Sequence, residues 1–260
     1  MKILILSPHR ADAAFSLSLS ITNWLTAGHT ITLLNVFTKT LYAPYSDADF
    51  VHENDRLSYV SAMRQREDEF FLQRLTHDLP KQAKSHIQIA DLNLKDAPIR
   101  LRCPPEDLYD TPVNPQDPAI EKIRKALTRL SEADSMDALV LPLALGDHVD
   151  HLTVRDAALP LTPTLPSAFY EDLPYATTHP SAATDLQALR EETTTHLHEP
   201  LSPVINQHPD AINLKRRLVL AYPSQIDEDA ASLITEFATR YNGGERLWAN
   251  EKWLSSFTPR

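Results

Sequence analysis

A strand, a helix and a second strand follow one another within the first 37 residues, and this order constrains the fold more than any other feature of the chain. Lys2 to Leu6 (KILIL) is a short branched apolar run, as expected of a strand buried on both faces. Ser7-Pro8-His9 interrupts it. From Asp12 the apolar residues Phe15, Leu19, Trp24 and Leu25 keep helical spacing as far as Ala27-Gly28, where glycine offers a helix stop. His29 to Phe37 (HTITLLNVF) is rich in β-branched and aliphatic residues and reads as a second strand. Such a crossover joins parallel neighbours, so the sheet is expected to begin parallel.

Alternation of strands and helices continues downstream. Residues 40 to 56 are polar and aromatic without periodicity, long enough for a functional loop. Leu57 to Leu79 reads as a helix with Arg64, Glu67 and Asp68 on its polar side, and His86 to Leu94 as a strand. Ala97 to Pro118 holds Pro98, Pro104, Pro105, Pro112, Pro115 and Pro118 and is expected to be an extended connection. Helices are expected at Ala119 to Leu130, Leu152 to Leu159, Ala211 to Leu220 and Glu228 to Tyr241. Strands are expected at Asp137 to Leu145, Ser167 to Tyr170 and, at an edge, Glu192 to Leu201. Neither a repeat nor a composition break marks a second domain. The expectation is one α/β domain over residues 1–260, an open and mostly parallel sheet with helices on both faces.

Composition narrows the function. The chain has 25 Lys and Arg against 35 Asp and Glu, a formal charge of −10, which repels phosphate backbones and anionic lipid. Nucleic acid is therefore not an expected partner. Cys103 is the sole cysteine, which removes intrachain disulfides and Cys-rich zinc motifs. The four glycines, Gly28, Gly146, Gly243 and Gly244, cannot assemble a phosphate-cradling loop. No apolar run is long enough to span a bilayer, and Met1 to Leu6 is too short for a secretory core, so cytoplasmic residence is the expectation.

In an open α/β sheet the ligand site lies beyond the carboxyl ends of the strands, where strand order reverses. With a 3-2-1-4-5 order, the first strand and the strand at Asp137 to Leu145 flank that crevice. Ser7-Pro8-His9-Arg10-Ala11-Asp12 follows the former and Gly146-Asp147-His148-Val149-Asp150-His151 the latter. Both segments carry histidine and aspartate at spacings of three, which places pairs on one side of a helical turn. A single such histidine is more often a cap or a satisfied polar residue than a ligand. Two segments at two strand ends of one crevice can converge as a zinc site with an open position requires.

Ser7 to Leu17 (SPHRADAAFSL), Gly146 to Val154 (GDHVDHLTV) and Tyr170 to Tyr175 (YEDLPY) resemble the LmbE-like or PIG-L family of zinc-dependent de-N-acetylases. Arg64-x-x-Glu67, Lys215 and Tyr222-Pro-Ser-Gln225 extend the resemblance over nearly the whole chain, in the family's order. It implies a Rossmann-like fold and hydrolysis of the N-acetyl group of an N-acetylglucosamine-type sugar or glycoconjugate. By the same resemblance His9, Asp12 and His151 are zinc ligands. His148 stabilises the oxyanion or protonates the leaving amine, Asp150 orients His148, and Arg64 lies near the bound sugar. The family's first aspartate, the general base, corresponds here to Ala11, whose methyl group accepts no proton. Arg10 and Ser18-Leu19 also depart from the family pattern.

Two metal-containing readings follow: a deacetylase scaffold with impaired or rerouted catalysis, or a metal-containing sugar-binding pseudoenzyme. A metal-free structural domain is the third. Tyr42 and Tyr45, around Pro44, form a candidate sugar platform, because flat rings stack on pyranose faces. Glu171-Asp172 reads as a site-shaping acid pair or a plain strand-end turn, and His196 with His198 as part of a surface strand. Cys103 reads as an unreactive loop residue, and Trp24, Trp248 and Trp253 as packing aromatics.

Overall fold

The computed structural model describes residues 1–133, 136–178, 191 and 200–257. Among the described residues β1 (Lys2–Ser7), β2 (Thr30–Lys39), β3 (Ile87–Lys95), β4 (Ala138–Pro142), β5 (Ser167–Tyr170), β6 (Ser202–Gln207) and β7 (Gly244–Ala249) form one sheet in the order β3-β2-β1-β4-β5-β7-β6. β1, β2, β3, β4 and β5 pair in parallel. β7 runs antiparallel to β5, and β6 closes the edge antiparallel to β7. The order reverses between β1 and β4, which share the register Ile3 to Ala138 through Ile5 to Val140. Their carboxyl ends therefore open onto one crevice.

Burial explains why the parallel strands read as uninterrupted apolar runs. Ile3, Leu4, Ile5 and Leu6 are all at most 1% exposed, as are Ala138 to Leu141. Each such aliphatic side chain contributes about 1.5–3 kcal/mol by leaving water. Helix α1 (Asp12–Thr26) packs on β1, β2, β6 and β7 and is buried almost all round, capped at its end by the Ala27 and Gly28 amides. Helix α2 (Glu53–Thr76) and the helices Ala211–Val219 and Glu228–Phe237 join that layer. The Pro118–Glu132 and Val149–Ala158 helices pack together as the second layer, against β3 and β4.

The structure corrects several expected boundaries. Helix α2 starts at Glu53, before Leu57, because the His52 ring accepts from the Asn54 amide and caps it early. The connection Ala97–Pro118 is not wholly extended. It holds a turn of helix at Ala97–Arg100 and a 3-10 turn at Pro105–Tyr109, each admitting proline in its first turn, where an amide proton is not needed. Most of Glu192 to Leu201, with His196 and His198, lies outside the described residues, and the edge strand is Ser202–Gln207. Strand β7 and the helix Glu251–Phe257 carry no expectation from the sequence. No helix among the described residues is long and apolar enough to cross a membrane.

Candidate metal centre

The turn after β1 is folded onto itself by short polar contacts. Ser7 Oγ donates to the His9 carbonyl at 2.6 Å and accepts from the Ala13 amide at 3.1 Å. Ala11 occupies the position before α1 with φ of 86°, a left-handed conformation that an alanine rarely adopts, and has no side-chain oxygen with which to cap the helix. Asp12 opens α1, and its Oδ2 accepts from the His9 amide at 2.7 Å.

The turn after β4 is more tightly wound. Ala144, Gly146 and Asp147 all have positive φ, at 68°, 84° and 56°. A Cβ on Gly146 would lie 2.9 Å from Cβ of Tyr175, so glycine is what admits the tyrosine ring beside the turn. His148 then caps the Val149–Ala158 helix, its Nδ1 accepting from the Asp150 amide at 3.1 Å. That bond fixes the neutral tautomer, leaving the proton on Nε2.

The two turns meet. The ring centroids of His9 and His151 lie 5.3 Å apart, and His148 stands 5.0 Å from His9 and 5.3 Å from His151. Asp12 Oδ2 sits 3.2 Å from His9 Nδ1 and 3.2 Å from His151 Nε2. Each imidazole's other nitrogen is claimed by a buried carboxylate: His9 Nε2 by Asp150 Oδ2 at 3.0 Å, His151 Nδ1 by Asp172 Oδ1 at 2.6 Å. Asp172 Oδ2 also accepts from the Leu145 amide, tying His151 to the turn before it.

This arrangement fits a metal. His151 Nε2 is buried without a hydrogen bond, although it faces Asp12. Ligand atoms of His9, Asp12 and His151 lie within 4.8 Å of one another. Two imidazole nitrogens and a carboxylate, with a carboxylate behind each imidazole, are a donor set suited to zinc with an open position. His151 and Asp150 are fully buried, whereas the side chains of His9 and Asp12 keep 14% and 11% exposure, so the centre opens on the side of the first turn.

These groups stabilise one another's charges. Burial opposes the charged form of Asp12, but His151 and His9 hold its carboxyl well below the usual range. Burial likewise opposes protonation of His151, yet Asp12 and Asp172 push it up to about 10. Burial, with His9 and His151 nearby, drives His148 down to about 3, so that ring is neutral. Carboxylates that favour imidazolium protons favour a divalent cation in the same place.

Arg64 on α2 is buried and engages protein acceptors: Nη2 donates to the Arg10 carbonyl at 2.9 Å and to Gln225 Oε1, and Nη1 lies 3.5 Å from the Tyr42 carbonyl. Its Nε is buried without a partner. Arg64 thus ties the first turn to the loop that carries Tyr42. Tyr42 is 57% exposed and Tyr45 is 52% exposed, with the Tyr45 hydroxyl donating to Asp227 at 2.9 Å. Arg10 is held by Asp68 and Asp91, and Asp68 also accepts from Tyr222 at 2.9 Å. Glu67 binds Ser224 and Gln225, while Lys215 pairs with Glu245 at 2.5 Å. Glu171 is spent on Tyr241, Arg246 and Trp248, which separates it from Asp172 in function.

Sequence reading left Tyr109, Tyr175 and Arg100 out of the site and the role of Asp172 open. The Tyr109 ring meets His148 edge-on at 5.6 Å, and Tyr175 meets His151 edge-on at 5.2 Å. Tyr175 and Asp172 lie in the Tyr170 to Tyr175 motif, which was their only signal. Tyr109 and Arg100 sit in the proline-rich connection, where no periodicity points to them.

No family model matches the sequence, and no curated protein matches it. Among solved structures, the zinc-inhibited form of teicoplanin deacetylase Orf2 is similar over 96% of this chain and 97% of its own, at 22% identity and a TM-score of 0.66. N,N'-diacetylchitobiose deacetylase from Pyrococcus horikoshii is similar over 99% of this chain and 86% of its own, at 16% identity and a TM-score of 0.56. GalB, the 4-carboxy-2-hydroxymuconate hydratase from Pseudomonas putida KT2440, is similar over 100% and 98%, at 11% identity and a TM-score of 0.54. One scaffold thus carries deacetylases and a hydratase, and reaction must be argued from the site. The fold of this chain is that of the LmbE-like or PIG-L de-N-acetylases, to which the teicoplanin and diacetylchitobiose deacetylases belong.

Proposed function

We propose that the chain is a zinc-dependent amide hydrolase acting on the N-acetyl group of an N-acetylglucosamine-type sugar or glycoconjugate, with its general-base position filled by Ala11. The observation that carries this reading is the convergence of His9 Nδ1, Asp12 Oδ2 and His151 Nε2, with Asp150 and Asp172 behind the two imidazoles. The deacetylase structures that share the fold support the reaction class. We read residues 1–260 as one domain residing in the cytoplasm.

Zinc, when bound, supplies Lewis acidity toward the amide carbonyl and toward water. Asp150 and Asp172 hold His9 and His151 in the tautomers that present Nδ1 and Nε2 to it. His148 Nε2–H is the donor left free by the cap bond, placed to stabilise the developing oxyanion or to serve the leaving amine. The Asp150 carboxylate, which the resemblance gives to His148, meets His9 instead, and only the Asp150 backbone amide reaches the His148 ring. Tyr42 and Tyr45 offer flat exposed faces to the sugar, and Arg64 braces the loop that carries Tyr42 against the first turn. Ala11 can neither align the attacking water nor relay its proton, a loss of about 10²- to 10⁴-fold.

The test loads the protein with zinc and follows primary-amine release from a panel of N-acetylated sugars, in the parent and in Ala11→Asp. The reading expects slow release that rises with the new carboxylate. Zinc-loaded Ala11→Asp that releases no amine from any of them would overturn it. Ala11 also favours a second reading, a metal-containing sugar-binding pseudoenzyme, for which calorimetry would give saturable binding without turnover in either form.

A further inference from the structure

We infer that Arg100 is a positioning residue for the metal centre, holding His9 ready to ligate through Asp150; this rests on the zinc reading above. Arg100 closes the short helix Ala97–Arg100, and its side chain is 13% exposed. Its guanidinium is held from several sides. Nε donates to Asp117 Oδ2 at 2.7 Å, Nη1 donates to the Lys95 carbonyl at 3.0 Å, and the group lies 4.4 Å over the Phe37 ring. Asp117 is itself fixed, because its Oδ1 accepts from the Ala119 amide and caps the following helix.

From that position Nη1 pairs with Asp150 Oδ1 at 2.8 Å, a charge contact without hydrogen-bond alignment. Asp150 is fully buried, and its other oxygen accepts from both the Ala97 amide at 2.9 Å and His9 Nε2 at 3.0 Å. The carboxylate plane is thus fixed at both oxygens, by the backbone and His9 on one and by Arg100 on the other. Asp150 can then claim the His9 Nε2 proton continuously, which leaves the Nδ1 lone pair for the cation. Remove the guanidinium and the buried carboxylate loses the partner that holds its Oδ1, so it is free to turn, and His9 loses its hold. Lysine is a poor substitute, because a point charge cannot bridge Asp117, Lys95 and Asp150 as a planar fork does.

The experiment measures zinc affinity by competition with a chromophoric chelator, on the full chain, for the parent and for R100M, R100K, D150N and R100M/D150N, with circular dichroism to verify folding. Expected are about one zinc per parent chain and affinities about 10- to 100-fold weaker in R100M and D150N. The double variant should bind within about threefold of D150N, because Arg100 acts through Asp150. If R100M does not fold, R100K carries the test, with affinity about tenfold weaker than the parent. A folded Arg100 variant that binds zinc as tightly as the parent would overturn the inference. So would losses that simply add in the double variant, as expected of a purely structural arginine. A parent chain that binds no zinc overturns the metal reading itself, and this inference with it.

Discussion

The two turns that build the proposed metal centre differ in how they are held. The turn after β1 is short and partly open, with His9 and Asp12 at 14% and 11% side-chain exposure. The turn after β4 is sealed, with His151 and Asp150 at 0% and Asp172 bracing both His151 and the Leu145 amide. Each stores backbone strain in an alanine, Ala11 at φ 86° and Ala144 at φ 68°. An L-residue pays about 1–2 kcal/mol there, and such conformations persist where surrounding structure imposes them. The comparison teaches a division of labour. The sealed turn fixes geometry, while the open turn carries Ala11 at the position we propose for the general base.

Four experiments would break or sharpen that contrast. Ala11→Asp restores a carboxylate to the open turn and should raise amine release about 10²- to 10⁴-fold, measured on N-acetylated sugars with zinc present. Aspartate tolerates positive φ better than most residues, so the fold should accept it. In the sealed turn, Asp172→Asn leaves His151 unsteadied and should weaken zinc binding about 10- to 100-fold in a chelator competition. Zinc at 100 times its dissociation constant should add about 2.7 kcal/mol of stability, read as a melting temperature higher by roughly 5–10 °C. His151→Ala should abolish that rise. The smallest effect is on strain alone. Ala11→Gly and Ala144→Gly should each raise stability by about 0.5–1 kcal/mol in urea titrations, the relief of positive φ outweighing glycine's chain entropy. Destabilisation by either would show that the methyl group is itself an essential packing contact.

Legibility in the sequence followed the range of the interactions. β1, β2 and β4 are buried on both faces and show as continuous apolar runs, so the parallel half of the sheet and its crevice could be read directly. β7 (GERLWA) hides because its Glu245 is buried by partners far along the chain, the Ser20 and Leu19 amides and Lys215. β6 (SPVINQ) opens beside a proline and alternates over only six residues. The histidines and aspartates of the site were visible as two clustered motifs at strand ends. Arg100 and Tyr109 were not, because each meets the site from a proline-rich connection whose course only the tertiary packing sets. Asp172 fell between these cases, inside a motif whose spacing gives no hint that its carboxylate turns toward His151 and that of Glu171 away.

Anomalous scattering at the zinc edge, from crystals of the zinc-loaded protein, tests the central claim most directly. It should give one peak between the two turns, about 2.0–2.2 Å from nitrogens of His9 and His151 and from an Asp12 oxygen. No peak there, or zinc held only elsewhere on the surface, would contradict the proposal that these turns form a metal centre.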